Sequence, residues 1–456
     1  AGGGRLYWGA FSFVLAVAAH WLWRRGTAVT LRGSLRQVPK RLRSASGIVL
    51  LAATAMFVGS GFYIYQNTNV LNAYVPGDEL EARLAEYEKK YLQYESLKQP
   101  SFTDITLKLD IYPDERRFLA EGVAQMINDT GAPVETLHVR FDDTNVQVES
   151  VEVQGATLEM HDEAMKYRIN RFDAAMQPGE VRALTFRSKR EQNGFRATGN
   201  DTRLVHNGTF LNNGEFAPAL GMSRSGLLTD RATRRKYDLP AELRPPKLED
   251  TSARERNYVG NLAWVMSDIT VSPAAAPTPI APGSRVSDEV VGDRRIARFV
   301  SQSPILGFFS VQSATYAVAE RSDDGVDFAV YYHEPHDYNV EAMLNAAIES
   351  LRYFKQHFGP YQFDYARIIE FPGYASSAQA FAGTVPYSER IGFIANTTDP
   401  ADIDYVTYVT AHEFGHQYWA HQLISADQQG GTLLVETMAQ YSALMVMKSL
   451  YGEDKI

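Results

Sequence analysis

The chain has 456 residues, room for about three domains, and its 45% apolar and 22% charged content with 33 Gly and 20 Pro excludes a fibrous or low-complexity protein. Net charge is −9, but the first 65 residues carry eight Arg or Lys and no acid, which leaves the remainder at −17 and excludes a nucleic-acid-binding surface there. The absence of cysteine excludes disulfides, thiolate metal sites and a cysteine nucleophile, so any metal must sit on N and O ligands.

In chain order, residues 7–23 and 47–65 are two stretches free of formal charge, 17 and 19 residues long. As helices they reach roughly 25 and 29 Å, enough for a membrane hairpin. The loop 24–46 holds Arg24, Arg25, Arg32, Arg36, Lys40, Arg41 and Arg43 and no acid, which predicts a cytoplasmic loop and an extracytoplasmic remainder after residue 66. A cleaved signal peptide would put its charges ahead of a single apolar run, the reverse of this order. Residues 77–99 predict a helix with Leu80, Leu84, Tyr87, Tyr91 and Tyr94 on one stripe, read as a stalk within 66–101.

From Phe102 the period changes to two, with Ile105, Leu107, Leu109 and Ile111 alternating with polar residues. Turn clusters then recur about every ten residues, the pattern of an all-β sandwich, placed at 102–318. Helices return beyond Asp324. Residues 340–358 set Leu344, Ala347, Ile348, Leu351, Phe354 and Phe358 on one face and stop at Gly359-Pro360. Strands at 365–371 and 390–394 follow, and Asp399-Pro400 offers the start of the next helix.

That helix contains His412-Glu413-Phe414-Gly415-His416, an HExxH motif. Helical spacing puts both histidines on one face, where they can hold one Zn2+, with Glu413 beside them as general base. Glu436, in the first turn of the next predicted helix, is the candidate third ligand, and a His2Glu set leaves a fourth position open for chemistry. His421 lies about 140° further round the helix than His416, so it is expected to pack rather than ligate.

The run VTAHEFGHQYWAHQL followed by LLVETMAQY resembles the zinc site of the gluzincin aminopeptidases, the family of aminopeptidase N. That family separates the motif from its glutamate by eighteen residues; here there are nineteen. The resemblance covers roughly 102–456 and implies a β domain followed by a thermolysin-like α/β domain at 319–456, hence an α+β multidomain protein with transmembrane helices. It implies a zinc metallopeptidase that hydrolyses peptides on the extracytoplasmic side. Joined to the hairpin, it looks most like bacterial fusions of an ABC-transporter permease with such a domain, which implies an inner-membrane location, further spans before Ala1 and an ABC ATPase partner.

The family holds the substrate's amino terminus with a GxMEN segment. Aligning Tyr387-Ser388-Glu389 with its downstream motif puts Ser377 to Phe381 there, with Ala380 in place of the amine-binding glutamate. Gln379 and Glu389 are then the candidate substrate contacts. The family's catalytic tyrosine lies beyond the 20 residues that follow Glu436, so the resemblance places it and the rest of the catalytic domain outside this chain. Two alternatives follow: a permease domain that binds peptide without cutting it, and a scaffold in which zinc serves only folding.

Overall fold

A computed structural model describes residues 2–23, 38–197, 203–259, 262–399 and 402–453. The chain divides into two compact units, Ala1–Pro76 with Gln192–Asp201, and Gly77–Glu191 with Thr202–Ile456.

In the smaller unit both predicted spans are helices, Gly2–Leu22 and Ala45–Tyr65. They pack as a hairpin: the Tyr7 and Phe57 rings stack at 4.5 Å, and Trp21 Nε1 donates to Ser46 Oγ at 2.9 Å. Gly61 is required where they cross, since a Cβ there would lie 3.1 Å from the Tyr7 ring. Among the described residues only Ala45–Val70, with mean hydropathy 1.9, is long and apolar enough to cross a membrane. The first helix falls short of the sequence expectation because Gly2, Gly3, Gly4, Arg5 and His20 dilute its apolar residues, and Tyr7, Trp8 and Trp21 are only weakly hydropathic. Most of the basic loop, 24–37, lies outside the described residues.

The larger unit opens with helix Gly77–Tyr91, which is a packed element of this unit rather than a free stalk. Tyr87 and Tyr91 cluster with Tyr167 of the β domain. Beside them Arg234, 1% exposed, grips Glu88, 2% exposed, with two hydrogen bonds of 2.8 and 2.7 Å. Arg234 also donates to the carbonyls of Pro240 and Leu228 at 2.6 Å.

The strand-period segment builds two facing sheets. In the larger, Ser101–Tyr112 pairs antiparallel with Arg117–Ile127 and parallel with Trp264–Ser272, and Val181–Glu191 and Gln147–Val153 extend it. The smaller runs Ala156–Asp162, Tyr167–Met176, Val134–Arg140 and Ala219–Leu220. Leu107, Leu109 and Ile111 from one and Leu137, Val139 and Phe172 from the other share a core, as alternation requires. The Pro-rich stretch carries a short strand, Thr278–Ile280, paired with Ser310–Ala314.

Strand Ala317–Asp323, within which the expected 318/319 boundary falls, pairs with Val326–Tyr332 in the next sheet. Tyr365–Phe371 and Thr384–Ser388 continue that sheet in parallel. Helix Val340–Phe358 covers it, burying Leu344, Ala347, Ile348, Leu351 and Phe354 as the pattern predicts, while Phe358, expected on the same face, is exposed at the helix end. Residues 390–394 are turns instead of the expected strand, because the Asn339 side chain donates to the carbonyls of Gly392, Phe393 and Ala395 and bends the chain around itself.

Because neither Glu88 nor Arg234 reaches water, Arg234→Met should destabilise the larger unit by about 3–5 kcal/mol in urea denaturation by leaving a buried carboxylate unpaired. Adding Glu88→Leu should recover most of that loss; a single-variant loss below about 1 kcal/mol would show the pair to be solvated.

Candidate metal centre

The motif helix is Tyr405–Gly415, five residues later than Asp399-Pro400 offered, because Asp404 is the residue that caps it: its side chain accepts from the Thr407 N–H at 3.0 Å. Val406, Ala411 and Phe414 anchor one face in the domain core. His412 and His416 share the other side, their Nε2 atoms 3.1 Å apart.

Glu436 reaches them from a π turn, Leu433–Thr437, that leads into helix Met438–Tyr451. Its Oε2 lies 3.7 Å from His412 Nε2 and 3.6 Å from His416 Nε2. The widened turn takes up one residue more than an α turn, and the nineteen-residue separation still delivers the carboxylate. Glycine makes the approach of the two helices possible, since a Cβ on Gly415 would stand 3.2 Å from the Cα and carbonyl oxygen of Ala439. Trp419 Nε1 donates to Ser442 Oγ at 2.9 Å across the same crossing.

The three atoms fit a zinc ion. Bonds of about 2.1 Å in tetrahedral array set ligands about 3.4 Å apart, against the 3.1, 3.6 and 3.7 Å found. His416 Nδ1 meets the Trp419 carbonyl at 3.1 Å and must donate there, which leaves Nε2 as a lone pair aimed at its partners. Burial, reinforced by neighbouring His416, lowers His412 to about 4, so its imidazole is neutral and able to ligate. Among the described residues no Lys or Arg pairs with Glu436.

Glu413 is buried, and burial first and the nearby Glu436 carboxylate second push it up to about 8, against the pull of the Ala380 N–H that donates to it. A dication on the adjacent ligands opposes this shift, because opposite charge favours the carboxylate.

Three residues on or just past the motif helix bind one segment, 380–383. Besides the Glu413 contact, Gln417 accepts from the Gly383 N–H at 2.9 Å and donates to the Phe381 carbonyl at 2.9 Å, and His421 Nε2 lies 3.3 Å from the Ala380 carbonyl. His421 therefore packs rather than ligates. The sequence reading missed Gln417, which is completely buried just past the helix end; its place directly after the motif was the available signal.

Ala380 stands where the family's amine-binding glutamate was expected and is buried, its N–H and carbonyl both engaged with the motif region. Gln379 is exposed, and its backbone N–H bonds to the Pro386 carbonyl at 3.1 Å. Glu389 is not grouped with the zinc ligands: its Oε1 accepts from the Gly373 N–H at 2.7 Å, and it clusters with His333, His336 and Glu370.

No protein-family model matches the chain. Endoplasmic reticulum aminopeptidase 2 of Bos taurus is 26% identical over 139 residues, and that of Homo sapiens 26% over 134, which is 30% and 29% of this chain. Each match spans only 14% of the length of that aminopeptidase. The solved M1 zinc metallopeptidase of Deinococcus radiodurans superposes with a TM-score of 0.53 at 13% identity, covering 79% of this chain and 74% of that one. A point mutant of the same enzyme gives 0.52 at 12% identity, with 77% and 72% covered. The fold is therefore that of an M1 zinc metallopeptidase, and the donor set is one that holds zinc.

Since Gly415 sets the distance between the helices that carry the ligands, Gly415→Ala should weaken zinc binding about tenfold in a competition titration with a chromophoric chelator. An unchanged affinity would mean that the crossing relaxes freely around the added methyl group.

Proposed function

We propose that the protein is a membrane-anchored zinc metallopeptidase of the aminopeptidase kind, acting on peptides at the extracytoplasmic face. The observation that carries this is the pairing of a three-ligand His2Glu set, open at its fourth position, with a buried carboxylate one residue along the same helix. The sequence likeness to aminopeptidases and the M1 fold support it.

Bound zinc would supply Lewis acidity, lowering the pKa of water to about 7 and polarising the scissile carbonyl. The chain's part is proton management. In this reading the Glu413 carboxylate takes a proton from the water that adds to the carbonyl carbon. It returns that proton to the amide nitrogen as the C–N bond breaks. The Ala380 N–H fixes the carboxylate's orientation. Gln417 holds the same segment along the motif helix, where it can lie beside a bound peptide.

The alanine at position 380 favours a second reading, a peptide-binding domain that does not cut. An exopeptidase must neutralise the substrate's ammonium, and the polar side chains of residues 377–381, Ser377 and Gln379, carry no charge. Glu413→Gln separates the two. It should reduce hydrolysis of a mixed peptide library by at least a thousandfold while zinc content stays at the wild-type level. Equal cleavage by variant and wild type would remove Glu413 from the chemistry, and no cleavage by either would leave the binding reading.

Anchoring is proposed on the hairpin. Phe13, Leu15, Ile48, Leu51, Met56, Val58 and Phe62 are exposed on its two helices, an apolar surface that water would penalise. The fusion to a transporter permease, with an ABC ATPase as partner, extends the same reading. In cells expressing the full-length protein, it should sediment with membranes, resist alkaline carbonate and dissolve in detergent. Protease added from outside should digest the region after residue 66. Recovery in the soluble fraction would sink the anchor.

A further inference from the structure

A second convergence of ligand-type side chains lies apart from the HExxH residues. His333, His336, Glu370 and Glu389 each bring one ligand atom into a group whose members all lie within 4.8 Å of one another. The residues are scattered over 57 positions of the sequence, and the sheet gathers them. Val326–Tyr332 ends just before His333, Tyr365–Phe371 carries Glu370, and Thr384–Ser388 ends just before Glu389. These three strands are neighbours and parallel, with Tyr331 opposite Ile369, and Glu370 opposite Tyr387. The group therefore sits at their carboxyl ends, where parallel sheets collect ligand-binding groups.

The electrostatics ask for a cation. Glu370 is completely buried, and among the described residues its ionic partners are His333 and His336 alone. Both imidazole Nδ1 atoms converge on the same oxygen, Oε1, at 3.2 and 2.5 Å, while Oε2 takes the His333 backbone N–H at 2.7 Å. A buried carboxylate without a guanidinium or ammonium needs positive charge from elsewhere. A dication held among the four side chains supplies it. One further detail matches a ligand role: Glu389 uses one oxygen, Oε1, on the Gly373 N–H. Tyr316 stacks on the His333 ring at 5.8 Å and 15° and donates to the Glu370 carbonyl at 3.2 Å, which locks ring and strand in place.

We propose that His333, His336, Glu370 and Glu389 bind a second divalent transition-metal ion, with zinc the best fit to two imidazoles and two carboxylates. Mixed N and O donors suit borderline ions, and zinc binds such sets more tightly than manganese or ferrous iron. The ion ties the ends of three strands together and, through Glu389 and Gly373, pins both ends of the segment that includes Ala380. Its role is to position that segment. The proposal does not depend on peptidase activity.

The test is metal content by mass spectrometry of the purified full-length protein after equilibration with zinc and removal of the excess. Wild type should hold two equivalents, His336→Ala/Glu389→Gln one, and His412→Ala/His416→Ala one. Wild type with one equivalent that the 336/389 variant keeps would overturn the second site and leave the first intact. Wild type with one equivalent that only the 336/389 variant loses would support the second site and sink the first. If the double variant fails to fold, Glu389→Gln alone, at a half-buried position, should weaken the second equivalent at least tenfold in a zinc titration; unchanged affinity there overturns the proposal.

Discussion

Where the motif helix crosses helix Met438–Tyr451, the backbone of Ala439 comes so close to Gly415 that a Cβ there would lie only 3.2 Å away and the neighbour would have to give. The metal centre depends on that contact. Two of its ligands ride on one helix and the third on the turn that opens the other, so the distance between the helices is the distance between the ligands. A side chain at position 415 would widen the His2Glu triangle without touching any member of it. The hydrogen bond from Trp419 to Ser442 repeats the constraint one turn further along.

The same helix governs what lies across from it. Glu413, Gln417 and His421 are spaced four residues apart, and each meets the backbone of 380–383. The main-chain groups engaged there would otherwise be buried without partners. The backbone of 380–383 and the Glu413 carboxylate are thus fixed by one set of bonds, and any shift of the segment is felt at that carboxylate. This explains why an alanine suffices at position 380: what the motif helix uses there is main chain.

The sequence made some of this legible and concealed the rest for physical reasons. Helix Val340–Phe358 could be read in its bounds and in its buried face up to Phe354, because a 3.6-residue stripe and a Gly-Pro stop are local signals; Phe358, past the last packed turn, is exposed. The HExxH pair and Glu436 were legible because the chemistry dictates their spacing. The turn at 390–394 was not, since it is imposed by Asn339, more than fifty residues away. Asp399-Pro400 was read as the helix start, whereas the contact with Thr407 makes Asp404 the cap. The first apolar stretch looked like a span because it lacks charge over 17 residues, yet its tryptophans, tyrosine and histidine leave it less apolar than its length implies. Glu389 was read as a substrate contact from its place in the family's downstream motif, and nothing local shows which neighbouring strand ends will meet it. His333, His336 and Glu370 form no motif at all, being neighbours only once the sheet is assembled.

The π turn at Leu433–Thr437 has a consequence for how such chains are recognised. A search pattern that fixes the third ligand eighteen residues after the motif would land on Val435, which is buried and cannot coordinate. Straightening the turn by one residue would rotate everything before it by about 100° relative to the helix that follows. The length of this turn and the position of its glutamate therefore work as one unit, and a pattern built on spacing alone reads the site as lost.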